Sequence, residues 1–443
     1  MRFADALAEL DTRQPEHMPE PDLDRISALA ALLDDPQLTY PTIHVTGTNG
    51  KTTTARLVTA LACEHGLSTG LFTSPHLTSV TERFVVCVER MREEEFGEEY
   101  GHLVPYLETV DERVGRVTYF EALTALAYLW FADKPVGLGV FEVGMGGEWD
   151  ATNLVAGDVA VLCPIAMDHV AVLGPTLADI AREKAGIVKQ GKVAVVREQA
   201  PEALAVIRDR CEGFIASMVL EGREWALESR VPAVGGQALT VHGLGATYED
   251  LVLPIHGEHA AHSAAAAVAA LEALLERPLD AEAIRRAFAR AVVPGRLEVI
   301  ARHPLIVLDG AHNPAAAEAL AAALPETFSW DRLRLVAGVF TNKDLDGIAE
   351  RLAPLADQVY ACATPSVRAR LPSEVADAFG RNGVPARAFP DVREALDAAR
   401  ADAREGDLIL VTGSLYTVAD ARRALVAGAP PEVRGRGSAQ EEP

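Results

Sequence analysis

Short β-branched, apolar runs alternate with longer Ala- and Leu-rich runs along almost the whole chain, and this alternation restricts the fold more than any other feature. TIHVTG, LGVFEVG, VAVLCPI and KVAVV are strand candidates in the first half, and LIVLDG, RLVAGVF, QVYACA and DLILVTG in the second. Strands separated by helical stretches predict an α/β protein with mainly parallel sheet. The stretch from about Met218 to Pro254 is richer in turns and β-formers and predicts a small antiparallel patch. Helical runs at His259–Leu275 and Ala281–Ala291 follow, and Val292-Val293-Pro294-Gly295-Arg296 then breaks the chain before a new strand-helix alternation. The expected domains are therefore 1–293 and 294–426, with 427–443 as a disordered tail ending GAPPEVRGRGSAQEEP.

Charge narrows the partners. The 443 residues carry 41 Lys and Arg against 64 Asp and Glu, a formal charge of −23, which repels nucleic acid and anionic membrane. Cys63, Cys87, Cys163, Cys211 and Cys362 are odd in number and never in a C-x-x-C pair, so the expectation is reduced thiols in a cytoplasmic protein, with no disulfide framework or structural zinc. The N-terminal MRFADALAELDTRQ carries acids and has no apolar run of signal-peptide length.

The stretch PTIHVTGTNGKTTT runs from a β-branched strand through a glycine loop into a helical run. In that setting the backbone N–H groups of Thr48 to Thr52 can surround a phosphate at a helix N-terminus, Lys51 can neutralise it, and Thr52 can ligate Mg²⁺. In the G-x-x-x-x-G-K-[ST] pattern the first glycine would stand at Val45. Four further segments carry chemistry: Thr73-Ser74-Pro75-His76-Leu77; Thr118-Tyr119-Phe120-Glu121, opening a helix; the glycine-rich Glu142 to Asn153; and Asp168-His169 followed by Glu183-Lys184. Singly, each reads as a cap, a core histidine or a solvated helix face; together, downstream of a phosphate loop, they supply what a two-cation ATP site needs.

The order of GTNGKT, TSPHL, TYFEALTALAY, EVGMGGEWDATN, DH with LGPTLADIAREKAGIVK, PGRLE, LDGAHNP and GSLYTV resembles the folylpolyglutamate synthase and dihydrofolate synthase family, within the Mur ligase superfamily, from about His44 to Arg422. That superfamily uses a phosphate loop without the earlier glycine. The resemblance implies a phosphate-loop ATPase domain with mainly parallel sheet, a smaller Rossmann-like C-terminal ligase domain, and glutamate addition to dihydropteroate or folates through an acyl phosphate. By the same resemblance, Asn49, Gly50, Lys51 and Thr52 hold the ATP phosphates; Ser74 and Glu142 ligate one Mg²⁺ with Thr52; and His169 ligates a second. Lys184 is a carbamylated lysine, and Lys51, His169 and Lys184 form the catalytic set. Arg296 and Asp309 contact ATP, His312 and Ser414 serve glutamate, and Phe120, Asp150, Ala151 and Thr152 border the pterin. A monomer is also implied.

Three residues depart from the family pattern. Thr52 stands where glycine is usual and is closer to the Mur peptide ligases; Glu148 puts an acid for a base beside the expected substrate loop; and Ser263 replaces the asparagine of GxHQxxNA. A Mur-type peptide ligase is the nearest rival, opposed by SPHL, by DATN and by a phosphate loop that begins only about forty residues in, with no preceding nucleotide domain expected. A phosphate-loop kinase would leave Asp309, His312 and Ser414 without a role.

Overall fold

A computed structural model describes residues 1–16 and 22–427; the expected tail beyond Ala427 lies outside the described residues. The chain divides into two compact units, one of Met1–Pro254 with His259–Val292, the other beginning at Val293 and including Ile255–Glu258.

The first unit is built on an eight-stranded sheet of β1 (Thr42–Thr46), β2 (Thr69–Phe72), β3 (Phe84–Val86), β4 (Glu89–Arg90), β5 (Leu138–Glu142), β6 (Val159–Leu162), β7 (Val193–Val196) and β8 (Ser217–Leu220). Their order is β4-β3-β2-β5-β1-β6-β7-β8, and only the β2–β3 and β3–β4 pairs are antiparallel. Because the remaining pairs are parallel, the segments that follow β1, β2, β5 and β6 all leave from one edge of the sheet, where ligands of open α/β sheets bind. β1 is buried at every residue, so its apolar run is that of a central strand. Phe141 of β5 packs against Tyr128 (5.4 Å between centroids) and Phe131 (5.5 Å), which anchors the helix Tyr119–Asp133 on the sheet. That helix starts where its residues dictate: Thr118 accepts the Glu121 N–H and Glu121 accepts the Thr118 N–H, a reciprocal cap.

The antiparallel patch expected before Pro254 is present as β9 (Ala226–Ala233), β10 (Gly236–His242) and β11 (Thr247–Leu253). The second unit holds β12 (Glu298–Arg302), β13 (Leu305–Leu308), β14 (Leu333–Ala337), β15 (Gln358–Ala361), β16 (Ala386–Ala388) and β17 (Leu408–Thr412), ordered β12-β13-β17-β14-β15-β16 with only β12 antiparallel. All eight strand runs read from the sequence are strands. Among the described residues no helix is long and apolar enough to cross a membrane.

One expectation is overturned. Cys63 and Cys87 form a disulfide, with Cα atoms 5.7 Å apart, whereas Cys163, Cys211 and Cys362 are free and buried. The pairing comes from tertiary structure: β3 folds back on β2, and the Cys87 N–H donates to Thr69 O, which brings the β3–β4 turn to the end of the helix Lys51–Glu64. A spacing of 24 residues carries no local signal of such a contact.

Candidate active site

β1 passes into the phosphate loop at Gly47. A Cβ on Gly47 would lie 2.5 Å from Cys163 Cβ, with φ at +147°, so only glycine fits against the residue that follows β6. Gly50, with φ +86°, then precedes the helix Lys51–Glu64. Val45 belongs to β1, fully buried and paired with Glu142, so this loop has no turn for a glycine to serve at that position. Replacing Gly47 with alanine is expected to cost about 2–3 kcal/mol by overpacking alone. Urea unfolding measures it, and Cys163→Gly in the same chain should recover part of the loss.

The set of phosphate-facing amides is smaller than the sequence suggested. The N–H groups of Thr48 (2.9 Å) and Asn49 (3.4 Å) donate to Pro164 O, and the Thr48 hydroxyl donates to Ala166 O at 3.0 Å. The N–H groups left to face an anion are those at the start of the helix from Lys51, where a helix N-terminus lacks intrahelical acceptors. Lys51 Nζ rests on Gly47 O (3.0 Å) and Thr48 O (3.4 Å). Lys184, 4% exposed in the helix Leu177–Ala185, donates to the same Gly47 O at 2.9 Å. Burial, and then the nearby Lys51 ammonium, push the Lys184 amine down from its ordinary value to about 7.

Glu142, the last residue of β5 and 1% exposed, joins two neighbouring strands' loops: it accepts the Thr52 hydroxyl at 2.7 Å and the Ser74 N–H at 3.3 Å. Thr52 and Ser74 are thus both tied to the Glu142 carboxylate, one through its hydroxyl and one through its backbone N–H. His169 follows β6 beside Asp168, whose Oδ1 accepts the His169 N–H at 2.8 Å. Among the described residues no three His, Cys, Asp or Glu side chains cluster as a metal site. The neighbouring His76 ring accepts from Arg83 Nε at 3.0 Å, and burial, with Arg83 beside it, lowers its pKa to about 4.

On the other side of β5, Phe120 lies against the glycine-rich loop: a Cβ on Gly144 would be 2.6 Å from Phe120 Cζ. Asp150 differs from a substrate-facing acid, because the residue is 3% exposed and its carboxylate accepts Met145 N–H (2.9 Å), Thr152 N–H (3.0 Å) and the Thr152 hydroxyl (2.5 Å). It shapes the loop from inside. Ala151 O accepts the Tyr128 hydroxyl at 2.7 Å. Glu148 pairs with Arg210 at 3.2 Å, so its charge is offset by the helix Pro201–Gly213. Glu148→Ala is expected to change stability by less than about 0.5 kcal/mol, as for other half-exposed ion pairs. The KM for a pterin substrate should then stay within about twofold in initial-rate assays. Ser263, in the helix Glu258–Leu275, donates to His259 O at 2.9 Å and lies beside Gly50.

In the second unit, Arg296 Nη1 donates to Gly295 O at 3.0 Å, while Asp309 accepts the N–H groups of Leu297 and Ala311, both at 2.9 Å, and so ties the Arg296 turn to the end of β13. His312 Nδ1 donates to Gly310 O at 2.8 Å, which fixes its tautomer. Ser414, after β17, is a helix cap: its Oγ accepts the Thr417 N–H at 3.0 Å and lies 2.8 Å from Thr417 Oγ1, which donates to Gly338 O. With the threonine proton spent on Gly338, the serine proton goes to Thr417. The sequence reading missed His44 and Thr46, which hold the glycine-rich loop from β1; polar residues inside an otherwise apolar central strand were the available signal.

Residues 45–271 match the Mur ligase middle domain family, and residues 295–415 match the Mur ligase, glutamate ligase domain family. The chain is 40% identical to the dihydrofolate synthase/folylpolyglutamate synthase of Mycobacterium tuberculosis, over 93% of this chain and 92% of that protein. A structure of Mycobacterium tuberculosis folylpolyglutamate synthase complexed with ADP superposes with a TM-score of 0.91 at 40% identity, covering 97% of this chain and 99% of that one. E. coli FolC in complex with DHPP and ADP does so at 0.86 and 32% identity, covering 96% and 98%. The chain therefore belongs to the Mur ligases and, within them, to the dihydrofolate synthase/folylpolyglutamate synthase family.

Proposed function

We propose that this ATP-dependent ligase joins L-glutamate to dihydropteroate, to folates, or to both, through an acyl phosphate. The observation that carries the proposal is the convergence, at one sheet edge, of Lys51, the Glu142 carboxylate with Thr52 and Ser74 bonded to it, and the buried Lys184. The substrate carboxylate attacks the γ-phosphate of ATP; Lys51 and the helix N-terminus offset charge on the transferring phosphoryl group. The glutamate α-amine then displaces phosphate from the acyl carbon, giving ADP, phosphate and an amide. No enzyme nucleophile is required, since positioning and electrostatics supply the acceleration.

Thr52, Ser74 and Glu142 would hold one Mg²⁺ and His169 a second. Mg²⁺, when bound, supplies positive charge to the phosphates. Lys184 suits carbamylation because its amine is buried and readily neutral. A carbamate would turn a repelling cation into an anion beside the cation sites. Arg296 and Asp309 are assigned to the nucleotide, His312 to glutamate with Ser414 shaping the turn after β17, and Phe120 with the Asp150–Thr152 loop to the pterin. We place the protein in the cytoplasm, where ATP and glutamate are both available, as a monomer without nucleic-acid or membrane partners. ADP release is the test: with dihydropteroate and ATP it should depend on glutamate, and glutamate-independent turnover at the full rate would refute ligation.

A further inference from the structure

One buried histidine, linked to the Asp150–Thr152 loop, has no part in the chemistry above. His44 sits within β1, fully buried, between Phe141 of β5 and Ala160 of β6 in register. A histidine in the middle of a central strand must desolvate two ring nitrogens, so its partners matter to the fold's energy. Nε2 lies 2.8 Å from Thr152 Oγ1, which lies 2.5 Å from Asp150 Oδ1. Asp150 accepts backbone N–H groups on both oxygens, and so acts toward Thr152 as an acceptor as well. The single hydroxyl proton of Thr152 therefore goes to Asp150, and its oxygen accepts from His44 Nε2–H. That assigns the tautomer: Nδ1 carries the lone pair, and it has no hydrogen-bond partner. Burial and Lys189 keep the ring neutral, with its pKa lowered to about 3.

Thr46, two residues further along the same face of β1, donates its hydroxyl to Gly146 O at 2.9 Å. The next residue, Gly47, opens the phosphate loop. One face of β1 thus holds the glycine-rich loop at two points, Gly146 and Thr152, while its carboxyl end becomes the phosphate loop.

We propose that His44 is a positioning residue: through Thr152 and Asp150 it fixes the glycine-rich loop in register with the phosphate loop, and so sets affinity for the pterin substrate without acting on ATP. This rests on the reading above that the Asp150–Thr152 loop and Phe120 border the pterin. His44 touches no reacting atom; it acts through the loop.

Initial rates with dihydropteroate and ATP as varied substrates test it. His44→Leu removes the Nε2 donor and Thr152→Val removes the hydroxyl bridge. Each is expected to raise the dihydropteroate KM about five- to tenfold, the worth of one buried hydrogen bond, with the ATP KM within about twofold. Because both break one chain of bonds, the double variant should be no worse than the more affected single one. His44→Gln, whose amide N–H can stand near Nε2, should recover most of the loss. If His44→Leu does not fold, Thr152→Val and His44→Gln carry the test. An unchanged dihydropteroate KM, parallel rises in both KM values, or additive effects would overturn the inference. Phe120→Ala separates the premise: if it leaves the dihydropteroate KM unchanged, the loop does not face the pterin and both readings fall. If Phe120→Ala raises that KM and the β1 variants do not, only the role of His44 is lost.

Discussion

Replacing Lys184 with alanine is expected to lower kcat by about 10³-fold, the scale seen when a preorganised charged group at a transferring centre is removed. High bicarbonate should not restore activity, because alanine has no amine to carbamylate. Lys184 is almost completely buried and shares Gly47 O with Lys51, two amines within 3.0 Å of one carbonyl. Burial first, and then the Lys51 charge, depress its pKa to about 7, making the neutral amine abundant near neutral pH. The sign of the accompanying stability effect follows. The folded value lies below the ordinary 10.5, so between about 7 and 10.5 the unfolded chain binds more protons, and stability rises with pH across that window. Below about 7 the cost of the buried ammonium is present in full. Melting temperatures in CO₂-free buffer should show this slope in the wild type and a shallower one in Lys184→Met, which keeps the contribution of Lys189, lowered by burial to about 8. Near-normal turnover in Lys184→Ala would mean that the amine has no role in catalysis.

Glu142→Gln is expected to reduce kcat by about 10²–10³-fold and to cost about 1 kcal/mol of stability, because its NH₂ cannot accept the Ser74 N–H that Glu142 Oε2 accepts. The amide keeps nearly the same shape and can still accept from the Thr52 hydroxyl, which lies 2.7 Å from Glu142 Oε1. What it loses is the negative charge at the end of β5 and one of its two acceptor oxygens. The check is the Mg²⁺ dependence of the rate: the concentration for half-maximal activity should rise about tenfold, equivalent to about 1.4 kcal/mol of cation binding. A fall in rate at an unchanged Mg²⁺ requirement would make Glu142 a structural bridge between Thr52 and Ser74 only.

The strands were legible because the sheet is parallel and buried, so that each strand is a nearly continuous apolar run such as VAVLCPI, bounded by helices. The phosphate loop was legible as a strand, glycine and Lys-Thr sequence, and the Thr118–Glu121 cap from its own residue types. What escaped depends on contacts distant in sequence. The Cys63–Cys87 bond needs the β2–β3 fold-back. The loss of the Thr48 and Asn49 amides to Pro164 needs the segment after β6 to lie under the phosphate loop. Asp150 and Ser414 read as substrate ligands in their motifs, yet their side chains are engaged within the protein, one inside its loop and one as a helix cap. Glu148 read as a charge reversal facing substrate; its partner Arg210 lies 62 residues later on a helix that the local pattern does not connect to it.

The central claim is that Lys51, Glu142 and Lys184 serve glutamate ligation to the carboxylate of dihydropteroate or of a folate. The most direct measurement is product mass spectrometry after incubation with ATP, Mg²⁺, L-glutamate and, separately, dihydropteroate and tetrahydrofolate. The account predicts a product heavier than the acceptor by a glutamyl residue, with ADP formed in equal amount. A phosphorylated acceptor as the end product, or ATP turnover with neither acceptor extended, would contradict it.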